Sequence, residues 1–86
     1  MPIRRTARFD RAYLGLPASI RAKVDRTILL LDENWRHPGL QARRLSGQGD
    51  IFYARVDQNH RITYERRGDT LVLRSVGRHD ETLKNP

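Results

Sequence analysis

The sequence predicts an α+β fold in which an N-terminal strand and two helices pack on a curved antiparallel sheet. Two observations carry this prediction. Apolar residues recur every three or four positions between Pro17 and Trp35, the period of a helix. From Ile51 to Val76 they recur every second position, the period of a half-buried strand. The strand-like runs are joined by turns of a few residues, so successive strands pair antiparallel rather than through long crossovers. With 86 residues and no repeat or linker, the chain reads as one unit over residues 1–86.

Each element has its own signal. Ile3 to Arg8 reads as a short strand, and Phe9 to Leu14 as a brief helical piece that turns Phe9 and Tyr13 inward before Gly15 and Pro17 interrupt it. Pro17 suits the first turn of the next helix, where a missing N–H costs no hydrogen bond. Ile20, Val24, Ile28, Leu31 and Trp35 form its apolar stripe, widened by Leu16 and Leu30. Pro38 disfavours helix at His37, so the helix stops at the "RHPGL" segment, with Trp35 in the core at its end. Arg43 to Leu45 is a short strand candidate ending at "SGQGD". Ile51 to Val56, Arg61 to Arg67 and Thr70 to Val76 are three further strands, separated by "DQNH" and by Gly68-Asp69. Leu45, Phe52, Ala54, Val56, Ile62 and Tyr64 are expected to face the helices. Tyr53, Arg55, Arg61 and Thr63 are then left on the opposite, open face, with His79 at its rim.

Composition narrows the chemistry. The chain has no cysteine, which removes disulfides, thiolate catalysis and cysteine-bound zinc. His37, His60 and His79 are too scattered for a metal-ligand pattern, and no cofactor is expected. No apolar run approaches the roughly 18 residues of a membrane span, and no signal segment opens the chain, so a cytoplasmic protein without a membrane partner is the expectation. Basic residues number 17 against 10 acidic ones, a formal charge of +7, and only Lys23 and Lys84 are lysines. Such an arginine excess suits a polyanion, because the guanidinium fork matches phosphate and carboxylate oxygens. A nucleic acid, an acidic protein partner and a merely solubilising surface all remain open on charge alone.

The polar residues of the open face could bind a phosphodiester or cleave one. Cleavage of RNA needs the 2′-hydroxyl activated, charge stabilised on the phosphoryl oxygens and a proton delivered to the leaving 5′-oxygen. Arg55 and Arg61 suit the second task, and His79 suits the third because imidazole titrates near neutrality. The first is poorly served, since a guanidinium holds its proton far above neutral pH. Asp57 is an alternative base, or else a salt-bridge partner of Arg61. His60 reads as a turn residue. Tyr53 either stacks on a base or caps the sheet. Arg43 and Arg44 either contact backbone phosphate or are ordinary surface residues, and "RHDE" around His79 also reads as a local charge network.

Taken in order, "FDRAYxxLP", "HPGL", "RRLSG", "FYARVDxxHRITY" and "LRSVGRHDE" resemble the RelE/ParE superfamily of type II toxin–antitoxin toxins, over about Thr6 to Glu81. The resemblance is more narrowly to its plasmid-stabilisation or translational-repressor type. It implies a small toxin, held by a cognate antitoxin, whose ribonuclease members cut mRNA on the ribosome without metal. A toxin–antitoxin heterotetramer is plausible on the same ground. By position it implies proton transfer at Arg55, phosphate binding at Arg61 and an acid at His79, and it puts Tyr53 where related toxins carry a further basic residue, whose charge Tyr53 cannot replace. Together with the reading of the residues themselves, this makes Arg43, Arg44, Tyr53 and Arg78 the expected RNA contacts. Leu83 stands where related toxins often place a tyrosine, and the region after the long helix has no carboxylate where some place a glutamate. Inhibition of DNA gyrase, as by ParE-like members, and a catalytically weak antitoxin- or RNA-binding relative are the competing functions.

Overall fold

Thr6 ends the first strand and starts the first helix. In the computed structural model, which describes residues 2–47 and 49–86, its hydroxyl accepts a hydrogen bond from the Phe9 N–H at 3.0 Å and donates to the Arg74 carbonyl at 3.2 Å. This side-chain cap, worth about 1 kcal/mol, confines strand β1 to Ile3–Arg5 and begins helix α1 at Ala7, through Leu14. The strand is therefore shorter, and the helix longer, than apolar periodicity suggested. Helix α2 spans Ala18–Asn34, with Pro17 just before it rather than in its first turn. Val24, Thr27 and Leu31 are its buried stripe, and Ile20, Ile28, Leu30 and Trp35 pack at the margins. A 3₁₀ turn at Pro38–Leu40 buries Leu40 and leads to β2, Arg43–Arg44.

Strands β3 (Ile51–Arg55), β4 (His60–Arg67) and β5 (Thr70–Arg78) form the expected meander. The five-stranded sheet runs β1-β5-β4-β3-β2, antiparallel from β2 to β5, with β1 pairing parallel to β5 at the edge. The turn within "SGQGD" includes Gln48, which lies outside the described residues. Gly68, at φ 58, opens a two-residue hairpin between β4 and β5. A register shift between Thr63 and Tyr64 opposes Thr63 to Ser75 but Tyr64 to Leu73, so Arg74 is the extra residue of a β-bulge. The bulge keeps Leu71, Leu73 and Val76 on one face, with Phe52, Ala54, Ile62 and Tyr64, against Phe9, Val24, Leu31 and Leu40 of the helical layer. Trp35 meets Phe52 edge-on at 5.6 Å and lies under the Arg66 guanidinium at 4.4 Å.

The opposite sheet face is not open throughout. Helix α3, His79–Lys84, folds back across β4 and β5. Thr82 is buried, and Thr63, expected on an open face, is fully buried as well. The Thr63 hydroxyl and Arg74 Nε both donate to the Pro86 carbonyl at 3.1 Å, and Arg8 donates to the Asn85 carbonyl. Gly77 permits this approach, since a β-carbon there would stand 2.9 Å from Thr82 Oγ1. Gly77→Ala should therefore cost about 1–3 kcal/mol by overpacking. The double variant with Thr82→Ala should recover part of that loss, and urea denaturation of the three variants measures the coupling.

Candidate functional site

The tight turn between β3 and β4 builds the site. Asp57 sits at its start with its side chain only 17 % exposed. Its carboxylate accepts from the backbone N–H groups of Asn59 and His60 at 2.8 Å, from His60 Nδ1 at 2.9 Å and from Lys23 Nζ at 3.3 Å. Burial works against ionisation here. The His60 ring, the Asn59 N–H, Lys23 and the charge of the imidazole outweigh it and bring the Asp57 pKa down to about 2. An ionised carboxylate only accepts, so His60 Nδ1 carries the hydrogen. His60 is thus no turn residue but the buried first residue of β4, fastened to Asp57.

Arg61 follows and makes a different contact from the salt bridge considered above. Its Nη1 donates to the backbone carbonyls of Asp57, at 2.7 Å, and His60, at 2.9 Å, while the Asp57 carboxylate is committed to the turn. That commitment also removes Asp57 as a base. Arg55, the last residue of β3, lies directly across from Arg61, and Arg61 lies across from Gly77. The three share the outer face of the sheet, the one turned away from the core.

His79 is set against this row by its backbone. Its N–H donates to the Asn59 carbonyl at 2.8 Å, which ties the start of α3 to the β3–β4 turn. Its side chain is 46 % exposed, with Nδ1 3.1 Å from Asp80 Oδ1. When Nδ1–H points at that carboxylate, Nε2 is left for a ligand. Gln58, Asn59, Arg61, Arg78, His79 and Asp80 together line an open cleft of about 280 Å³. Among the described residues, the side chains of Arg55 and Arg78 have no hydrogen bond or ion pair. The cleft thus offers guanidinium donors for phosphate oxygens beside an imidazole.

The other expected contacts divide between the two faces. Tyr53 and Arg43 are cross-strand partners on the outer face, in the row next to Arg55. Arg44 pairs with Phe52 and so points to the other face, its guanidinium 5.2 Å from the Phe52 ring and its Nη2 3.3 Å from Asp50. Leu83, half-buried, lies in α3. Sequence reasoning missed Gln58, Asn59 and Asp80 as cleft residues. Only the adjacency of "DQNH" and "RHDE" to strand ends hinted at them. Among the described residues no group of three His, Cys, Asp or Glu side chains could hold a metal ion, and no helix is long and apolar enough to cross a membrane.

No family model matches the chain, and no curated protein matches it. Solved structures do. The RelB–RelE antitoxin–toxin complex from Methanococcus jannaschii matches with a TM-score of 0.78 at 21% identity, covering 96% of this chain and 99% of that one. A YoeB/ParE toxin from Agrobacterium tumefaciens matches at 0.76 and 18% identity, covering 92% and 99%. YafQ from E. coli strain BL21(DE3) matches at 0.75 and 17% identity, covering 93% and 94%. Identities this low show a shared fold.

The depressed Asp57 pKa makes a pH-dependent prediction. Its contribution to stability is complete above the ordinary carboxylate value of 3.8 and is lost as pH falls toward 2. Wild type should exceed Asp57→Asn by about 2 kcal/mol at pH 7. That gap should shrink between pH 4 and pH 2 in parallel urea denaturations, and a gap independent of pH would contradict the assignment.

Proposed function

We propose that the chain is a toxin of the RelE/ParE type, the partner of a cognate antitoxin, and that it cleaves translated mRNA by a metal-independent reaction. The observation that carries this reading is the cleft in which Arg61, Arg78 and His79 stand together, with Arg55 across the strand from Arg61. The shared fold of the RelE, YoeB and YafQ toxins supports it. Arg61 and Arg55 hold the scissile phosphate, and Arg78 a phosphate or base beside it. The ribose 2′-oxygen attacks phosphorus as the bond to the 5′-oxygen breaks. Charge that builds on the non-bridging oxygens is met by the guanidinium groups. His79 gives the proton to the leaving 5′-oxygen, and the 2′-hydroxyl proton passes to water in the open cleft. The products are a 2′,3′-cyclic phosphate and a 5′-hydroxyl end.

Without a dedicated base, the rate relies on positioning, which the mRNA on a ribosome supplies. The Asp80 carboxylate, 3.1 Å from His79 Nδ1, orients the His79 ring. Leu83 in place of an aromatic hydroxyl leaves base stacking to Tyr53.

Induced expression followed by mapping of mRNA 5′ ends tests the reading. Wild type should produce cuts confined to translated regions. His79→Ala should reduce cutting about 10²-fold and Arg61→Ala about 10²- to 10³-fold, with melting curves confirming folded variants. Growth arrest with intact mRNA and altered DNA supercoiling would overturn it in favour of gyrase inhibition.

A further inference from the structure

A second cleft, of about 240 Å³, opens at the other end of the same outer face. Arg4 of β1 pairs with Val72, Val72 with Glu65, and Arg67 with Thr70, so these side chains occupy one face. Arg74, from the bulge, reaches into the cleft as well. Glu65 is the carboxylate of this wall, and it is shared: Arg67 Nε lies 3.0 Å from its Oε1 and Arg74 Nη1 3.6 Å. Arg4 has no partner among the described residues. One carboxylate against Arg4, Arg67 and Arg74 leaves a net positive cleft whose guanidinium groups keep unused N–H donors. Arg74 already displays the preference, donating through Nε to the Pro86 carbonyl.

The placement of the two clefts is as informative as the charge. Arg61, Thr63, Glu65 and Arg67 alternate along one face of β4, so the clefts lie ~20 Å apart at 3.3 Å per residue. The Asn85–Pro86 segment lies between them. A lone anion would occupy one cleft. A strand carrying phosphates at regular intervals can occupy both.

We propose that the Arg4–Arg67–Arg74 cleft is a second phosphate-binding site, which holds the backbone of the same single-stranded RNA away from the scissile phosphate. The inference rests on the reading of the His79 cleft as an RNA site. Its role is to set affinity and direction of the strand, leaving the chemistry at the first cleft.

The test uses 2′-O-methyl oligoribonucleotides, which cannot be cleaved, of 4 and 12 nucleotides, and the Arg4→Gln/Arg67→Gln variant. Both residues are exposed, and neither holds the C-terminal segment as Arg74 does. Wild type should bind the 12-mer at least tenfold more tightly than the 4-mer. The variant should lose that advantage, bind the 4-mer unchanged and show a slope of log affinity against log salt smaller by about 1 to 1.5. An advantage that persists in the variant, or a 4-mer bound as tightly as the 12-mer, overturns the second site alone. If neither oligomer binds wild type, the RNA reading of the first cleft falls and takes the second with it. If the variant loses binding of an octaglutamate peptide but keeps the 12-mer advantage, the cleft takes an acidic protein and the proposal is overturned.

Discussion

A single ionised carboxylate holds one end of the sheet together. Asp57 collects two backbone N–H groups, an imidazole N–H and a lysine ammonium, and thereby closes the turn between β3 and β4. A side chain that bonds the backbone two and three residues ahead fixes a turn more firmly than loop closure alone. Closing this turn sets the β3–β4 register and therefore places Arg55 opposite Arg61. It also turns the Asp57 and His60 carbonyls toward Arg61 and leaves the Asn59 carbonyl to receive the His79 N–H. Arg61 and His79 come from distant parts of the chain, yet both are positioned by groups within four consecutive residues. Charge-assisted hydrogen bonds with a low pKa suit that task, because they survive across the whole neutral range.

The return of the chain over the outer face imposes a second constraint. A sheet with helices on one side leaves the other wet, and a uniform basic coat would follow from the composition. Instead α3 and the residues after it cover Thr63 and Ser75, made possible by the missing side chain at Gly77. The face is divided into two clefts, and the arginines divide with it. Arg8, Arg21 and Arg74 donate to backbone carbonyls, while Arg5, Arg44 and Arg66 lie over aromatic rings. Arg4, Arg43, Arg55 and Arg78 make no such contact among the described residues. The formal charge of +7 is thus partly architectural, and Arg4, Arg43 and Arg55 on the outer face are among the arginines left free of such contacts.

The α+β fold was legible because its large elements announce themselves by period. The stripe from Ile20 to Trp35 and the alternation through β3, β4 and β5 need only local sequence. What was hidden depends on distant contact. The parallel pairing of β1 with β5 leaves no mark in either strand. Helix α3 is six residues long, too short for an apolar stripe, and is held by Thr82 against Gly77 and by hydrogen bonds at both its ends. Asp57 beside Arg61 looked like a salt bridge because sequence shows charges but not where backbone N–H groups point. Arg43 and Arg44 were read together, although alternation alone puts neighbours on opposite faces, and Arg44 indeed packs on Phe52. Arg55, Arg61 and His79 were brought to one end of the sheet as expected, since that depended only on strand parity and on the last strand's length.

The pairing of Arg55 with Arg61 departs from what stability alone would favour. Like charges directly across a sheet are destabilising, and a sequence selected for stability alone would place a carboxylate or threonine at one of the two positions. The structure relieves only half of the conflict. Arg61 is held against two carbonyls, which disperse part of its charge, whereas the Arg55 side chain has no hydrogen bond or ion pair among the described residues. Two arginines directly across the sheet, with no carboxylate against either among the described residues, are an arrangement that an anion would complement. A local rule broken where the rest of the fold obeys it is what a functional site looks like in physical terms. An anion held between the two side chains would offset this repulsion, so the pair is where the proposed phosphate contact has most to gain.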